Sequence, residues 1–394
     1  MAAVRNAIVA GAGIGGLTTA IALRRAGIDT VVLERRSTPD RLLTGGGFML
    51  WHNALLALRE LKLDEPVAEA GVEIVHHEFR SDRNRRLARW DVASEAERHG
   101  APALGLRRSA LNTVLMEAAG DCVRLGTRCA GFTQDGDGVT VRLDDGAELR
   151  ADVLIGADGV RSTVRDDLRK GHDLPLRYAG YTAWQAITRL PGEDVVPTGT
   201  FFNLWGRGGL RFLYMRLNED EVYWDAITAD SAGASFDMLA KSRREVMMEA
   251  YRDWPDPVPG IIASTTEEAI LPIGIFDRPP DRCGGWGRGR VVLVGDAAHP
   301  MTLNLSQGAG QAIEDAVGLV RMLSEHDDVP AAVAAYEELR HERVAGMVQT
   351  AWTIGAMGHW RSRPVCAGRD LFMRAFFDRV GRKQSYQQMM DVRF

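Results

Sequence analysis

The stretch AIVAGAGIGGLTTAIALRRAGIDTVVLE, residues 7–34, constrains the fold of this chain more than any other. Ala7-Ile8-Val9-Ala10 is a short apolar run of the kind a buried parallel strand needs, and Leu17 to Leu23 reads as a helix. Between them lies the turn Gly11-Ala12-Gly13-Ile14-Gly15-Gly16. Gly27 ends the helix, and Thr30-Val31-Val32-Leu33 is a second strand closing on Glu34. Strand, glycine-rich turn, helix, strand and terminal acid together predict a βαβ unit that binds a dinucleotide. Gly11 permits the tight turn, Gly13 lets a pyrophosphate approach the backbone, and Gly16 lets helix and strand pack closely. The helix start at Ile14 and Gly15 offers unpaired N–H groups to the phosphates. Glu34 sits where an acid accepts hydrogen bonds from ribose hydroxyls. Arg35 follows it, either stacked on adenine or facing solvent. The motif by itself leaves NAD and FAD both open.

Composition removes several other functions. At 394 residues the chain is long enough for two associated domains, and its formal net charge of −5 offers no footprint for nucleic acid. It has no run of 18 or more apolar residues, so no membrane span is expected. The N-terminus shows no signal-peptide pattern, and Cys122, Cys129, Cys283 and Cys366 are scattered, as suits reduced thiols in a cytoplasmic protein. Histidine and cysteine spacings suggest no metal site.

Two later motifs favour a flavin. Residues 151–165, ADVLIGADGVRSTVR, run a strand into a loop carrying Asp158. That Asp-Gly pair is a common turn when it stands alone. Residues 290–310, RVVLVGDAAHPMTLNLSQGAG, run a strand into a small-residue surface that bears Asp296, where a carboxylate can meet ribityl hydroxyls. Gly308, Ala309 and Gly310 then open a helix whose free N–H groups and dipole suit the negative charge of a reduced flavin.

These motifs, with Arg108-Ser109-Ala110-Leu111 in the manner of an R-x-x-L, resemble the group A FAD-dependent aromatic hydroxylases, which are para-hydroxybenzoate hydroxylase-like monooxygenases. The resemblance runs from residue 8 to about residue 320. It implies an FAD held by Gly11, Gly13, Ile14, Gly15, Gly16, Glu34, Arg35, Gly47, Arg108, Asp158, Asp296 and the backbone of Gly308 to Gly310. NADPH or NADH would dock only transiently, which fits the lack of a second GxGxxG unit. The sequence departs from the family where a Pro usually stands at Leu303, a Gly at Ser306 and a Pro at His52. His52 reads first as a polar side chain near a helix start and second as a titratable candidate for catalysis.

Between residues 178 and 228, four aromatic-rich runs separated by Pro, Gly and Asp turns predict an antiparallel sheet. Laid over the flavin, it would roof a pocket lined by Trp205, Phe212, Tyr214, Trp224 and Leu303, though any one of these aromatics can equally be core. The expected class is α/β. A Rossmann-like FAD-binding domain (1–175 and 281–330) would carry an inserted mixed or antiparallel sheet (176–280) and C-terminal helices (331–394). The Arg80–Arg86 cluster predicts a solvated hairpin turn. A Phe-rich segment at 371–377 is a candidate dimer face or pocket entrance, so monomer and homodimer stay open. The implied activity is hydroxylation or epoxidation of an aromatic or polycyclic small molecule with NAD(P)H and O2, through a C4a-hydroperoxyflavin. The alternatives are a reductase or dehydrogenase on the same fold, which Leu303 and Ser306 support, and an FAD-binding protein without turnover. Substrate, regiochemistry, the choice of nicotinamide and any general base are not readable from sequence.

Overall fold

The computed structural model describes residues 4–39, 46–170, 175–229, 241–280, 285–376 and 392. The opening motif builds the centre of a six-stranded sheet. Strands β1 (Asn6–Ala10), β2 (Asp29–Glu34), β8 (Val123–Leu125), β12 (Val153–Gly156) and β19 (Val291–Leu293) run parallel in the order β19-β12-β1-β2-β8. A short antiparallel strand, β18 (Gly287–Arg288), adds at the β19 edge. Continuous apolar runs such as VLI in β12 and VVL in β19 mark strands buried on both faces. Helices α1 (Ile14–Arg25), α5 (Arg108–Ala119) and α9 (Gly308–Glu325) pack together over this sheet, and one hydrophobic core joins them to it. The meander of β9 (Cys129–Gln134), β10 (Val139–Leu143) and β11 (Glu148–Ala151) shares that core, as does α6 (Thr163–Leu168).

A seven-stranded sheet forms the second layer. Its order is β17 (Leu271–Asp277), β13 (Arg177–Arg189), β16 (Glu221–Ala229), β15 (Arg211–Arg216), β14 (Thr200–Trp205), β5 (His76–Ser81) and β6 (Arg86–Asp91). All the predicted runs between 178 and 228 appear as antiparallel strands, but the sheet is mixed because β14 pairs with β5 in parallel. The hairpin β5–β6, with the arginine cluster at its turn, comes from the first portion of the chain yet belongs to this sheet. A cut at residue 176 therefore does not separate the two layers.

Three short strands, β3 (Gly47–Leu50), β7 (Leu104–Arg107) and β4 (Gly71–Glu73), form a small sheet between the layers, with α2 (His52–Glu60) and α3 (Asp64–Glu69) beside it. Helix α4 (Val92–His99) starts on Asp91, whose side chain accepts from the Ser94 N–H, and stops at Gly100 in the left-handed conformation. Helices α7 (Arg243–Ala250) and α8 (Val258–Ala263) cover one face of the seven-stranded sheet. The long α10 (Val329–Gly358) begins with Pro330 in its first turn, capped by Asp328. Pro364 lies in the first turn of α11 (Arg363–Phe372), where its missing N–H costs no hydrogen bond.

Candidate cofactor and substrate site

The three sequence motifs are far apart in the chain but meet at one edge of the parallel sheet, where β1, β12 and β19 end. Gly11 has φ +107°, and a Cβ there would lie 2.5 Å from the Ala157 carbonyl oxygen, so the first turn sits directly on the 156–159 loop. A Cβ at Gly16 would lie 1.9 Å from the Gly11 oxygen. On the other side, Cβ atoms at Gly15 and Gly295 would lie 3.2 Å and 3.0 Å from the Ala312 Cβ, which brings the start of α9 against the start of α1. This carboxyl edge is where doubly wound sheets hold nucleotides. Gly13 differs from its neighbours: it is the N-cap of α1 at φ −75°, and a Cβ on it would meet nothing within 4 Å. Neither backbone strain nor packing asks for glycine there. An open approach to a helix N-terminus does, and that fits the pyrophosphate of FAD.

Glu34 is buried at the end of β2, where it accepts from the Ala12 N–H (3.0 Å) and the Arg36 N–H (2.9 Å). It thus ties the glycine turn to the second strand, while Arg35 beside it is exposed. Asp158 accepts from the N–H groups of Thr163 (2.7 Å) and Val164 (3.2 Å), which holds the 156–159 loop to the start of α6, and burial raises its pKa. Asp296 is exposed on the 3-10 turn Gly295–Ala297. Arg108 is exposed at the start of α5, and its N–H donates to the Gly46 carbonyl. Gly47 has a packing role: a Cβ there would lie 2.8 Å from the Tyr223 ring. Gly308 and Ala309 open α9 after Gln307, which makes no side-chain cap. A Cβ at Gly310 would come 3.3 Å from both Asn53 and Gln307. Ser306 adopts φ +52° and ψ +35°, so it follows the left-handed path that the family's glycine would take, at a cost of about 1–2 kcal/mol.

His52 is fully buried at the first position of α2, and its Nδ1 donates to the Ala101 carbonyl. Burial pushes its pKa down to about 4, which leaves the ring neutral near pH 7. A charge network that no sequence motif disclosed lies under the 295–310 loop. His299 Nε2 donates to Asp315 (2.6 Å), which also accepts from the Gly295 N–H (2.9 Å) and from Arg340 (2.9 Å). Arg340 also pairs with Glu314, which accepts from Arg343 and Asn53 as well. Burial alone would raise the Asp315 carboxyl, but His299 and Arg340 outweigh it and hold the pKa at about 2.

On the substrate side the two faces of the seven-stranded sheet part company. Phe212, Tyr214 and Trp224 pack with Met247, Tyr251, Ile261 and Ile262 of the α7–α8 layer, away from the cofactor loops. They are outer core and do not line the pocket, which corrects the expectation from sequence. The alternate residues of the same strands face inward: Leu213, Met215, Tyr223 and Ile227 share a cluster with Tyr181, Trp205, Met49 and Trp51, and Leu303 and Leu305 pack on it. Trp205 and Leu303 are therefore on the cofactor side. Four polar residues that the sequence reading missed lie there too. Arg211 donates to Asn304 (2.6 Å) and stacks on Trp205 with its Cζ 4.2 Å from the ring centre. Asn304 donates to the Tyr181 hydroxyl (2.8 Å), and Gln185 donates to Asp225 (3.4 Å). Charged residues inside the aromatic strand runs, RFLYM and VYWDAI, were the available signal.

Among the described residues no helix is long and apolar enough to cross a membrane, and no cluster of His, Cys, Asp and Glu could hold a metal. Cys122, Cys129 and Cys366 are free and buried, whereas Cys283 lies outside the described residues. Leu371, Phe372 and Phe376 are exposed.

The chain matches the FAD binding domain family over residues 5–181 and 262–351. It is 39% identical over 369 residues to an aurachin C monooxygenase/isomerase from Stigmatella aurantiaca, covering 93% of each chain. It is 32% identical over 347 residues to an FAD-dependent urate hydroxylase from Mycolicibacterium vanbaalenii, covering 86% of this chain and 85% of that one. The crystal structure of Klebsiella pneumoniae HpxO with FAD and uric acid superposes with a TM-score of 0.85 at 29% identity, over 94% of this chain and 92% of that one. The chain therefore belongs to the FAD binding domain family, and it is an FAD-dependent monooxygenase of the class A flavoprotein type.

Proposed function

We propose that this enzyme uses NADPH or NADH and O2 to insert one oxygen atom into an aromatic or polycyclic small molecule. The observation that carries this reading is the inward face of the seven-stranded sheet. Tyr181, Leu213, Met215 and Tyr223 present a buried apolar surface to the loops around Gly46–Trp51 and Leu303–Ser306. FAD, when bound, supplies the redox chemistry and the activation of oxygen. The chain's part is to hold the cofactor at Gly11–Gly16, Glu34, Asp296 and the start of α9, to place a flat substrate under the sheet, and to keep water out. The departures at Leu303 and Ser306, which supported the reductase alternative, leave the loop on a left-handed path at Ser306, the path open to a glycine. The test is turnover of a panel of hydroxyarenes by the holoenzyme under 18O2. Incorporation of one labelled atom per NAD(P)H consumed is expected. Substrate-stimulated NAD(P)H oxidation that leaves every product unlabelled, with full turnover on an artificial electron acceptor, would establish the reductase instead.

A further inference from the structure

Asp225 has no role in the fold that its surroundings require. It lies at the middle of β16, only 3% exposed, between Tyr223 and Ile227 on the inward face. Gln185, directly across on β13, donates to Oδ2, whereas Oδ1 accepts no hydrogen bond among the described residues. Its neighbours put Asp225 on the strand face that meets the cofactor loops. The Tyr223 ring and Gln185 both abut Gly46, and Leu303 and Leu305 pack on the same layer. A buried carboxylate oxygen without a donor costs free energy, and a sheet of this kind has no use for it.

A second polar group nearby also has an unused atom. Arg211 Nε is buried without a partner, although its terminal nitrogens reach Asn304 and Asn203. In the β15–β16 register Asp225 faces Leu213 and Arg211 faces Ile227, so the acid and the cation are diagonal neighbours. Such neighbours are about 7 Å apart. Between them they leave one acceptor atom and one donor atom unused, the pair that a ring hydroxyl and its oxyanion would engage.

We propose that Asp225 is the catalytic base of this enzyme, taking the proton of a ring hydroxyl on a hydroxyarene substrate, with Arg211 holding the oxyanion that forms. The inference rests on the monooxygenase reading above and adds to it the substrate class and a base. In the step, the substrate O–H bond breaks, its proton passes to Asp225 Oδ1, and the electron pair stays on the ring oxygen. The carboxylate becomes neutral and the substrate anionic, so the total charge is unchanged. An ionised ring oxygen raises electron density at the ortho and para carbons, where an electrophilic oxygen atom must add.

The surroundings suit that role. Burial pushes Asp225 up to about 7, against the opposing pull of Gln185, Arg211 and Tyr223, and a base is most effective when its pKa lies near the working pH. The other titratable groups facing it are Arg211 from β15, Tyr181 from β13, Tyr223 on its own strand and Tyr251 from the outer layer. Burial raises all three tyrosines, which keeps them neutral, and lowers Arg211 only to about 10, which keeps it cationic.

The experiment uses the FAD-loaded enzyme, Asp225→Asn and Asp225→Glu, with a panel of nitrophenols and a nitro-substituted hydroxyquinoline. The anions of these probes absorb at longer wavelength than their neutral forms. Bound probe should be ionised in the wild type at neutral pH, neutral in Asp225→Asn, and ionised again in Asp225→Glu. FAD content and Tm serve as checks on folding. For any hydroxyarene that turns over, kcat/KM should fall about 100-fold or more in Asp225→Asn and lose its acid limb near pH 7. Equal ionisation of the bound probe in wild type and Asp225→Asn overturns the base while leaving the monooxygenase intact. Failure of the wild type to bind any probe overturns the substrate class. Absence of labelled product for every substrate overturns the reading beneath both.

Discussion

Replacing Arg340 with leucine tests whether the buried charge network holds the cofactor loop. Arg340 is 2% exposed and donates to Asp315 (2.9 Å), to Glu314 and to the Gln311 side chain (2.7 Å). Arg340→Leu leaves Asp315 with His299 and Glu314 with Arg343, so neither carboxylate is wholly stripped of partners. Breaking a buried ion pair by deleting one side costs about 3–5 kcal/mol, and the surviving partners put the expected loss near the lower figure, about 3 kcal/mol. That is a large share of a total stability of about 5–15 kcal/mol. The sign of its pH dependence follows from the shifts. In the wild type burial raises both carboxyls, but Arg340 and its fellows outweigh it and depress them, so the network contributes stability above the unfolded carboxyl range and loses it as pH falls through the folded values. In the variant burial dominates, and protonation relieves the misfit. The gap between wild type and variant should therefore be widest near pH 7.5 and shrink toward about pH 4.5. Urea unfolding of the apoprotein at the two pH values measures it. FAD titration should show weaker binding, because Asp315 anchors the Gly295 N–H. Adding Glu314→Gln and Asp315→Asn should recover most of the stability. A loss below about 1 kcal/mol, or one that is the same at both pH values, refutes the reasoning.

Gly13→Ala should leave apoprotein stability within about 1 kcal/mol while abolishing tight FAD binding, since its Cβ meets open space at the helix start. Gly16→Ala should instead destabilise the apoprotein outright through its clash with the Gly11 oxygen, and thermal melts with FAD titration separate the two. Ser306→Gly should raise stability by about 1 kcal/mol by relieving the left-handed strain, and a lower Tm would contradict the strain assignment. Asp225 carries a folded pKa of about 7 against a usual 3.8, so the unfolded chain releases its proton first and the wild type loses stability as pH rises from about 4 to about 7. Asp225→Asn lacks that loss and should be more stable above pH 7 by at most about 4 kcal/mol, with no gain near pH 4, in apoprotein melts across that range.

The cofactor half of the molecule was legible because its contacts are made by backbone. A turn that sits on Ala157, a helix that approaches Gly11, and a helix start left open to a phosphate each demand glycine at a stated spacing, and such demands survive in a linear string. Charge and apolar run length were equally direct. The substrate half was not legible, for a definable reason. A strand's side chains alternate between faces, and a reader assigns the faces by seeing one side polar. Here α7 and α8 cover the outer face while the cofactor loops cover the inner one, so Phe212, Tyr214 and Trp224 look no different in sequence from Leu213, Met215 and Tyr223. Only the register of β15 and β16, set by pairing with strands and loops from elsewhere in the chain, decides that Asp225 and Arg211 face the flavin loops and the aromatics face away. The network of His299, Glu314, Asp315, Arg340 and Arg343 is a second case: its members come from a loop and two helices and acquire their roles only by meeting. What the sequence alone determined was the βαβ unit, the class of cofactor and the family. Which side chains share a buried face, and which charges neutralise one another, was decided by tertiary packing, because those properties depend on neighbours that the local sequence does not contain.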